Sequence, residues 1–314
     1  MSRDHRTWHF FCSFMLTAGG IHAFNKICDI HAARKHLLNR SDGQLFSWKG
    51  VQVYYEKHGT GDPVILLHAL HPAASSAEWK DIVSRLAGNH TVYLIDLPGC
   101  GRSDKPHTLY TNFYFVQLVL DFIHAMSLSS VKLVASNLTC PVAVMAAACD
   151  REAIASLVLI NPPSQKALEE TPDFISKLKY RALGAPILGA FIYNMLTSRS
   201  QIDIYFAEKY FYNPFHDTDD LVDTYYESAH LGGGNAHHFA ACQIGKYINA
   251  DIRFALSHLK MPVRIIEGGS IRDAEPVIKE WRRALPEAQV TVIEHTKQLP
   301  MLEEPEETAK AILS

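Results

Sequence analysis

From Gln44 to its end the chain alternates short apolar runs with helical patterns, and few architectures satisfy that order. The segments "QLFSWKG" and "VQVYYEKHG" read as a hairpin. In "PVILLHAL", "TVYLIDLPG", "VKLVASN", "ASLVLINPP", "PVRIIEGG" and "QVTVIEH" the apolar residues run together instead of alternating, as in strands buried on both faces. Between several of these runs lie "SAEWKDIVSRLA", "TNFYFVQLVLDFIHAM", "CPVAVMAAACD" and "AEPVIKEWRRAL", whose apolar residues recur at helical spacing. The expectation is an α/β fold with a doubly wound, mostly parallel sheet.

The alternation stops between about Ser164 and Ile252. There "FISKLKYRALGAPILGAFIYNML", "SQIDIYFAEKYF" and "DTDDLVDTYYESAHL" are helical with no strand between them. An inserted helical cap above the strand ends accounts for this. The expected division is an N-terminal helix over 1–40, a first core part over 41–163, a cap over 164–251 and a second core part over 252–314. Within the cap, Gly232 to Gly234 read either as a hinge or as a plain helix end. Tyr180, Phe191 and Tyr193 are its expected apolar cover over a pocket.

The first forty residues differ from the rest. "WHFFCSFMLTAGGIHAF", Trp8 to Phe24, is apolar nearly all round and runs to about 17 residues, the short limit for crossing a bilayer. "TAGGIHA" makes a poor signal-peptide cleavage site, and the helical pattern continues through "NKICDIHAARKHLL". An uncleaved helix is therefore expected, either associated with a membrane surface through residues 8–24 or packed on the main domain. Lys26, Arg34, Lys35 and Arg40 follow it. If the segment instead spans the membrane as an uncleaved anchor, the basic residues on that side place the main body in the cytoplasm, and a cytoplasmic chain, free or attached to the cytoplasmic face of the membrane, is the expectation.

With 314 residues, a formal net charge of −3 and no long Lys/Arg stripe, the chain offers no electrostatic basis for nucleic-acid binding. Its six cysteines are scattered without a C-x-x-C pair, and its histidines form no H-E-x-x-H. Neither a metal nor a cofactor is implied.

Ordered segments carry a more specific likeness. "DPVILLHAL" is followed by "AEWKDIV", then "IDLPGCGRSDKP", the strand and helix around Asn137, "LVLINPP", "MPVRIIEGG" and "LPMLEEPEE". Over residues 44 to 314 the chain resembles the α/β-hydrolase family, in its branch of esterases, haloperoxidases and dehalogenase-like proteins. The resemblance implies a nucleophile elbow, G-x-S-x-G, between a strand and a helix. Here those places hold Ala135, Ser136, Asn137, Leu138 and Thr139, so the nucleophile position is an amide with no proton that a base can remove. Asparagine does suit the turn, because it tolerates positive φ better than most residues.

The resemblance puts the base at Gln298, just before "LPMLEEPEE", and the acid in the region of Ser270 and Ile271. None of the three can play its part in a proton relay. Substitutes within sequence reach are Ser136, His295 and Asp273; Cys140 and Ser75 or Ser76 have commoner structural jobs in capping and first turns. The histidines His68, His71, His230, His237 and His238 are candidates to line the cavity. An oxyanion site built from backbone N–H groups needs no particular side chain, and its expected places are His68, Ala69 and Leu70 in the loop after the third strand, together with Leu138. The expected function is that of a non-catalytic homologue, a pseudoenzyme with a degenerate triad that binds a small molecule or lipid under the cap. The alternative is an active hydrolase of the ester or thioester class using non-standard residues.

Overall fold

The computed structural model describes residues 2–38, 43–215 and 219–314, with side chains from residue 15 onward. The boundary expected at 40/41, Arg40, and the side chains of Trp8 to Phe14 lie outside the described residues.

The apolar runs form one eight-stranded sheet. Its strands are β1 (Gln44–Trp48), β2 (Val51–His58), β3 (Asp62–Leu67), β4 (His90–Ile95), β5 (Val131–Ser136), β6 (Ile154–Ile160), β7 (Val263–Gly268) and β8 (Gln289–Ile293). The spatial order is β1-β2-β4-β3-β5-β6-β7-β8. The β1–β2 hairpin and the β2–β4 pair are antiparallel and every later pair is parallel. Side-chain alternation divides each central strand between two cores. Ile65, Leu67, Leu133, Ala135, Leu157 and Leu159 face one, while Val64, Leu66, Val134, Val158 and Ile160 face the other. Both faces are dry, which is why these strands read as continuous apolar runs.

Helix α1 (Ser2–Ala32) precedes the sheet, and α2 (Val83–Leu86), α3 (Asn112–Ala125) and α4 (Cys140–Cys149) lie between its first strands. After β6 come six helices with no strand among them: α5 (Gln165–Leu168), α6 (Phe174–Leu183), α7 (Leu188–Leu196), α8 (Arg199–Tyr205), α9 (Asp219–His230) and α10 (His237–Ile244). The chain returns through α11 (Arg253–Ser257), α12 (Ala274–Ala284), α13 (Pro300–Glu303) and α14 (Pro305–Leu313). Phe115, Val119 and Phe122 of α3 and Trp281 of α12 fill the first core; Leu86, Ala309 and Ile312 fill the second. Each large side chain buried there contributes about 1.5–3 kcal/mol.

The C-terminal half of α1 packs on the cap. Phe24 meets the edge of Phe191 at 5.5 Å, and Asn25 donates to the Ile187 carbonyl at 3.3 Å while its own oxygen accepts from Asn194 at 2.9 Å. After α1, the Leu37 N–H donates to Glu227 at 2.7 Å and Lys35 pairs with Asp223 at 2.5 Å. Leu16, Ile27 and Ile30 fall on one stripe of the helix at 100° per residue, opposite the buried Asn25 and Ala32, and all three are exposed. Among the described residues no helix is long and apolar enough to cross a membrane.

The "DLPGCGRSDKP" turn ties the sheet to this extension. Asp96 at the end of β4 accepts from the Ser76 N–H at 2.7 Å and from the Arg102 N–H and Nε at 2.9 and 2.7 Å. Gly101 is required there, since its φ is 51° and a Cβ would stand 2.4 Å from an Asp96 carboxylate oxygen. Gly232 and Gly233, with φ of 83° and 64°, form a left-handed exit from α9 before a short turn into α10, the geometry of a helix end.

Candidate functional site

Strand β5 turns into α4 through a single tight turn, Asn137–Thr139, with Asn137 at φ 53°. Thr139 holds the turn from beneath, its hydroxyl accepting from the Ser136 N–H at 3.0 Å and lying 2.6 Å from the Ser136 carbonyl. The same oxygen lies 3.1 Å from the His68 carbonyl, so the β-branched residue at a place where the family resemblance expects glycine is a hydrogen-bonding strut to the loop after β3.

Gln298 reaches the turn. Asn137 Nδ2 donates to Gln298 Oε1 at 3.1 Å, so a neutral amide pair joins the residues expected at the nucleophile and base positions. The Gln298 loop is fixed by Asn161, the residue after β6, whose Nδ2 lies 3.0 Å from the carbonyls of both Lys297 and Gln298 and whose Oδ1 accepts from the Gly268 N–H at 2.9 Å. Gly268 allows that approach, because a Cβ would meet the Lys297 carbonyl oxygen at 2.1 Å. No proton can be passed between two amides near neutral pH.

The remaining expected residues disperse. Ser270 and Ile271 line a groove on the outer side of Gln298 with Glu208, Lys209 and Arg272, and offer no carboxylate. Asp273 is exposed at the start of α12. His295, also exposed, sets its ring 5.3 Å from that of Tyr212 and does not line the elbow cavity, because the loop after β8 turns it outward. His68 is a correction of another kind. It is fully buried, with Nδ1 2.8 Å from the Ala69 carbonyl and Nε2 accepting from the Leu97 N–H at 2.9 Å, so both ring nitrogens join backbone segments and neither meets a ligand. Cys140 is likewise buried, with its sulfur against the carbonyls of Ala135 and Ile160, and burial holds its thiol well above the usual range. Tyr180 packs against the tilted ring of Tyr247 and Phe191 meets Phe24 edge-on, leaving Tyr193 as the one expected cover residue that lines the pocket.

Two adjacent spaces lie above the elbow. A cavity of about 120 Å³ is bounded by Ser136, Asn137, Gln298, Glu78, Ala69 and Leu70. It shares His71, Tyr210, Tyr225 and Gln243 with a larger pocket of about 490 Å³ under the cap, lined by Tyr193, Leu196, Ile202, Tyr205, Phe206 and Ile244 among others. That size is typical of small-molecule sites, and its walls are chiefly apolar.

Glu78 was invisible as a site residue in the sequence, where it reads as one polar position in the helical pattern "AEWKDIV". It sits in a short turn at Ser76–Trp79 capped by Ser75 and is buried. Its Oε2 accepts from the Ala69 N–H at 3.0 Å and its Oε1 from the Tyr225 hydroxyl at 3.2 Å. One expected oxyanion donor is thus spent on an internal carboxyl. Burial pushes the Glu78 carboxyl up to about 8, against the pull of those two hydrogen bonds. The Leu70 carbonyl accepts from Gln243 at 3.0 Å, and Leu138 packs on the first core. His71, whose Nδ1 accepts from the Ala73 N–H at 3.2 Å, is held neutral by burial, which pushes its imidazole down to about 4. Ser136 also faces this cavity, and its buried hydroxyl has no hydrogen-bond partner among the described residues.

Residues 62–305 match the family described as alpha/beta hydrolase fold. A 2-hydroxy-6-oxo-6-(2'-aminophenyl)hexa-2,4-dienoic acid hydrolase of Metapseudomonas resinovorans is 35% identical over 79 residues, 25% of this chain and 27% of that protein. A probable lysophospholipase, BODYGUARD 3 of Arabidopsis thaliana, is 25% identical over 265 residues, 77% of this chain and 52% of its own length. The chain thus spans about a quarter and about half of these two relatives. Among solved structures, Cfl2 of Burkholderia cenocepacia superposes with a TM-score of 0.71 at 20% identity, covering 86% of this chain and 94% of that one.

Proposed function

The chain belongs to the α/β-hydrolase fold family, and from that premise we propose that it binds a small apolar molecule beneath its cap without hydrolysing it. The Asn137–Gln298 amide pair carries the reading, because it occupies the two places where attack and proton transfer would occur and can perform neither. The fold retains what binding needs: an apolar pocket, a polar end and a left-handed turn that holds the polar end in place. The neutral dye N-phenyl-1-naphthylamine is expected to bind one-to-one with a saturable rise in fluorescence. Ala240→Trp, which fills the pocket from α10, is expected to weaken binding at least tenfold while costing about 1–3 kcal/mol of stability. Absence of saturable binding by the native chain would remove this reading.

The exposed stripe of Leu16, Ile27 and Ile30 supports a second element of function, attachment of α1 to a lipid surface. The helix uses its opposite face to hold the cap, so membrane contact and cap docking are compatible. The full chain is expected to sediment with phosphatidylcholine vesicles. Leu16→Glu with Ile27→Glu is expected to release most of it into the supernatant, and sedimentation unchanged by that pair would refute the attachment.

A further inference from the structure

The two spaces above the elbow contain a charge pattern that restricts what they can hold. Neither is lined by lysine or arginine. The ionisable groups at the polar end are Glu78, His71, Tyr210 and Tyr225, and none of them supplies a positive charge near neutral pH, since burial keeps His71 in its neutral form. Glu78 faces the cavity with both oxygens already seated, one on the Ala69 N–H and one on the Tyr225 hydroxyl. A ligand carboxylate arriving there meets another carboxyl group at the place where a backbone donor would otherwise receive it. An anion buried there with no positive partner is costly.

The groups that do remain at the polar end are those that serve a neutral head. The Asn137–Gln298 bond uses one donor and one acceptor of two amides, leaving the oxygen of one and the amino group of the other. Ser136 adds a hydroxyl that is buried, opens on the cavity and has no partner among the described residues. A buried hydroxyl left alone costs free energy that a ligand able both to give and to accept a hydrogen bond would recover.

Building on the pocket reading above, we propose that the elbow cavity recognises an uncharged, hydrogen-bonding head group, an alcohol or a carboxamide, on an apolar compound. The raised carboxyl of Glu78 agrees with this, since a protonated acid is a neutral donor and leaves no anion to attract an ammonium group.

Displacement of N-phenyl-1-naphthylamine at pH 7 tests the assignment with four ten-carbon probes: 1-decanol, decanamide, decanoate and decylammonium. The two neutral probes are expected to displace the dye at concentrations at least tenfold lower than either ion. Decanoate or decylammonium matching the neutral probes on the native chain would overturn the proposal while leaving the pocket intact. Failure of the dye itself to bind would remove the pocket reading and this inference with it.

Discussion

Short p-nitrophenyl esters are expected to turn over no faster with the purified protein than in buffer, and Asn137→Ser alone is expected to leave that background unchanged. The amide at 137 lacks a removable proton, and a hydroxyl placed there has the Gln298 amide beside it, which cannot accept that proton as a base. Loss of the nucleophile or the base costs a factor of about 10⁶ in a protease that works by a Ser-His-Asp triad. Joining Asn137→Ser with Gln298→His is the informative variant, because the 3.1 Å contact between the two side chains shows that they meet. A rise of roughly tenfold to 10²-fold over either single variant is expected. It stays small because Ser270 and Ile271 supply no carboxylate to orient the new imidazole, and a correctly oriented base is worth about 10²–10⁴.

The competing reading, an ester or thioester hydrolase working with other groups, rests on one observation: Ser136 and His71 share the elbow cavity. They are not joined, since among the described residues the Ser136 hydroxyl has no hydrogen-bond partner and His71 Nδ1 is engaged by the Ala73 N–H. Robust turnover by the native protein that disappears in Ser136→Ala and in His71→Ala would establish that reading. A burst from Asn137→Ser alone would show that a base is already in reach, and His71 is the first residue to test, because His295 lies at the surface beside Tyr212.

What the sequence made legible follows physical range. The sheet was readable because strands such as β3 and β6 are buried on both faces and so consist of unbroken apolar residues. The turn at Asn137 was readable because positive φ restricts residue type at one position. Glu78 was not readable: nothing in "AEWKDIV" says that its carboxyl reaches a backbone N–H nine residues earlier and a hydroxyl from a helix 147 residues later. The cap was misread in detail for a related reason. Helical spacing in "LGAPILGAFIYNML" marks Phe191 as apolar without saying which neighbour buries it, and α1 claims Phe191 from outside while Tyr193 turns toward the pocket. His68 stood in a family-like motif and was assigned to binding, yet its ring is consumed by two backbone contacts that only the packed β3 and β4 ends create.

The largest loss of stability is expected from Arg102→Met. The Arg102 side chain is only 8% exposed, and besides Asp96 it donates to Glu56 at 2.8 Å, to Ser76 at 2.6 Å and to the Leu38 carbonyl at 3.1 Å. It also lies 3.8 Å over the ring of Tyr54. Removing it leaves Asp96 buried without its counter-charge and cuts the link between the β4 loop and the segment after α1. Breaking one partner of a buried pair costs about 3–5 kcal/mol. For a chain of this size that corresponds to a fall in melting temperature of roughly 6–20 °C. Arg102→Lys is expected to recover part of it only, since an ammonium cannot present the guanidinium fork. The pH dependence supplies a second readout. Burial alone would raise the Asp96 carboxyl, but the charge and hydrogen bonds of Arg102 hold it down at about 2, below its usual 3.8. A depressed carboxyl stabilises the fold above its unfolded value, and that contribution is lost as pH falls from about 4 toward 2. The gap in melting temperature between the native chain and Arg102→Met is therefore expected to be full at pH 6 and to narrow below pH 4. A gap under 2 °C at pH 6, or one that widens in acid, would show that this pair does not hold the loop.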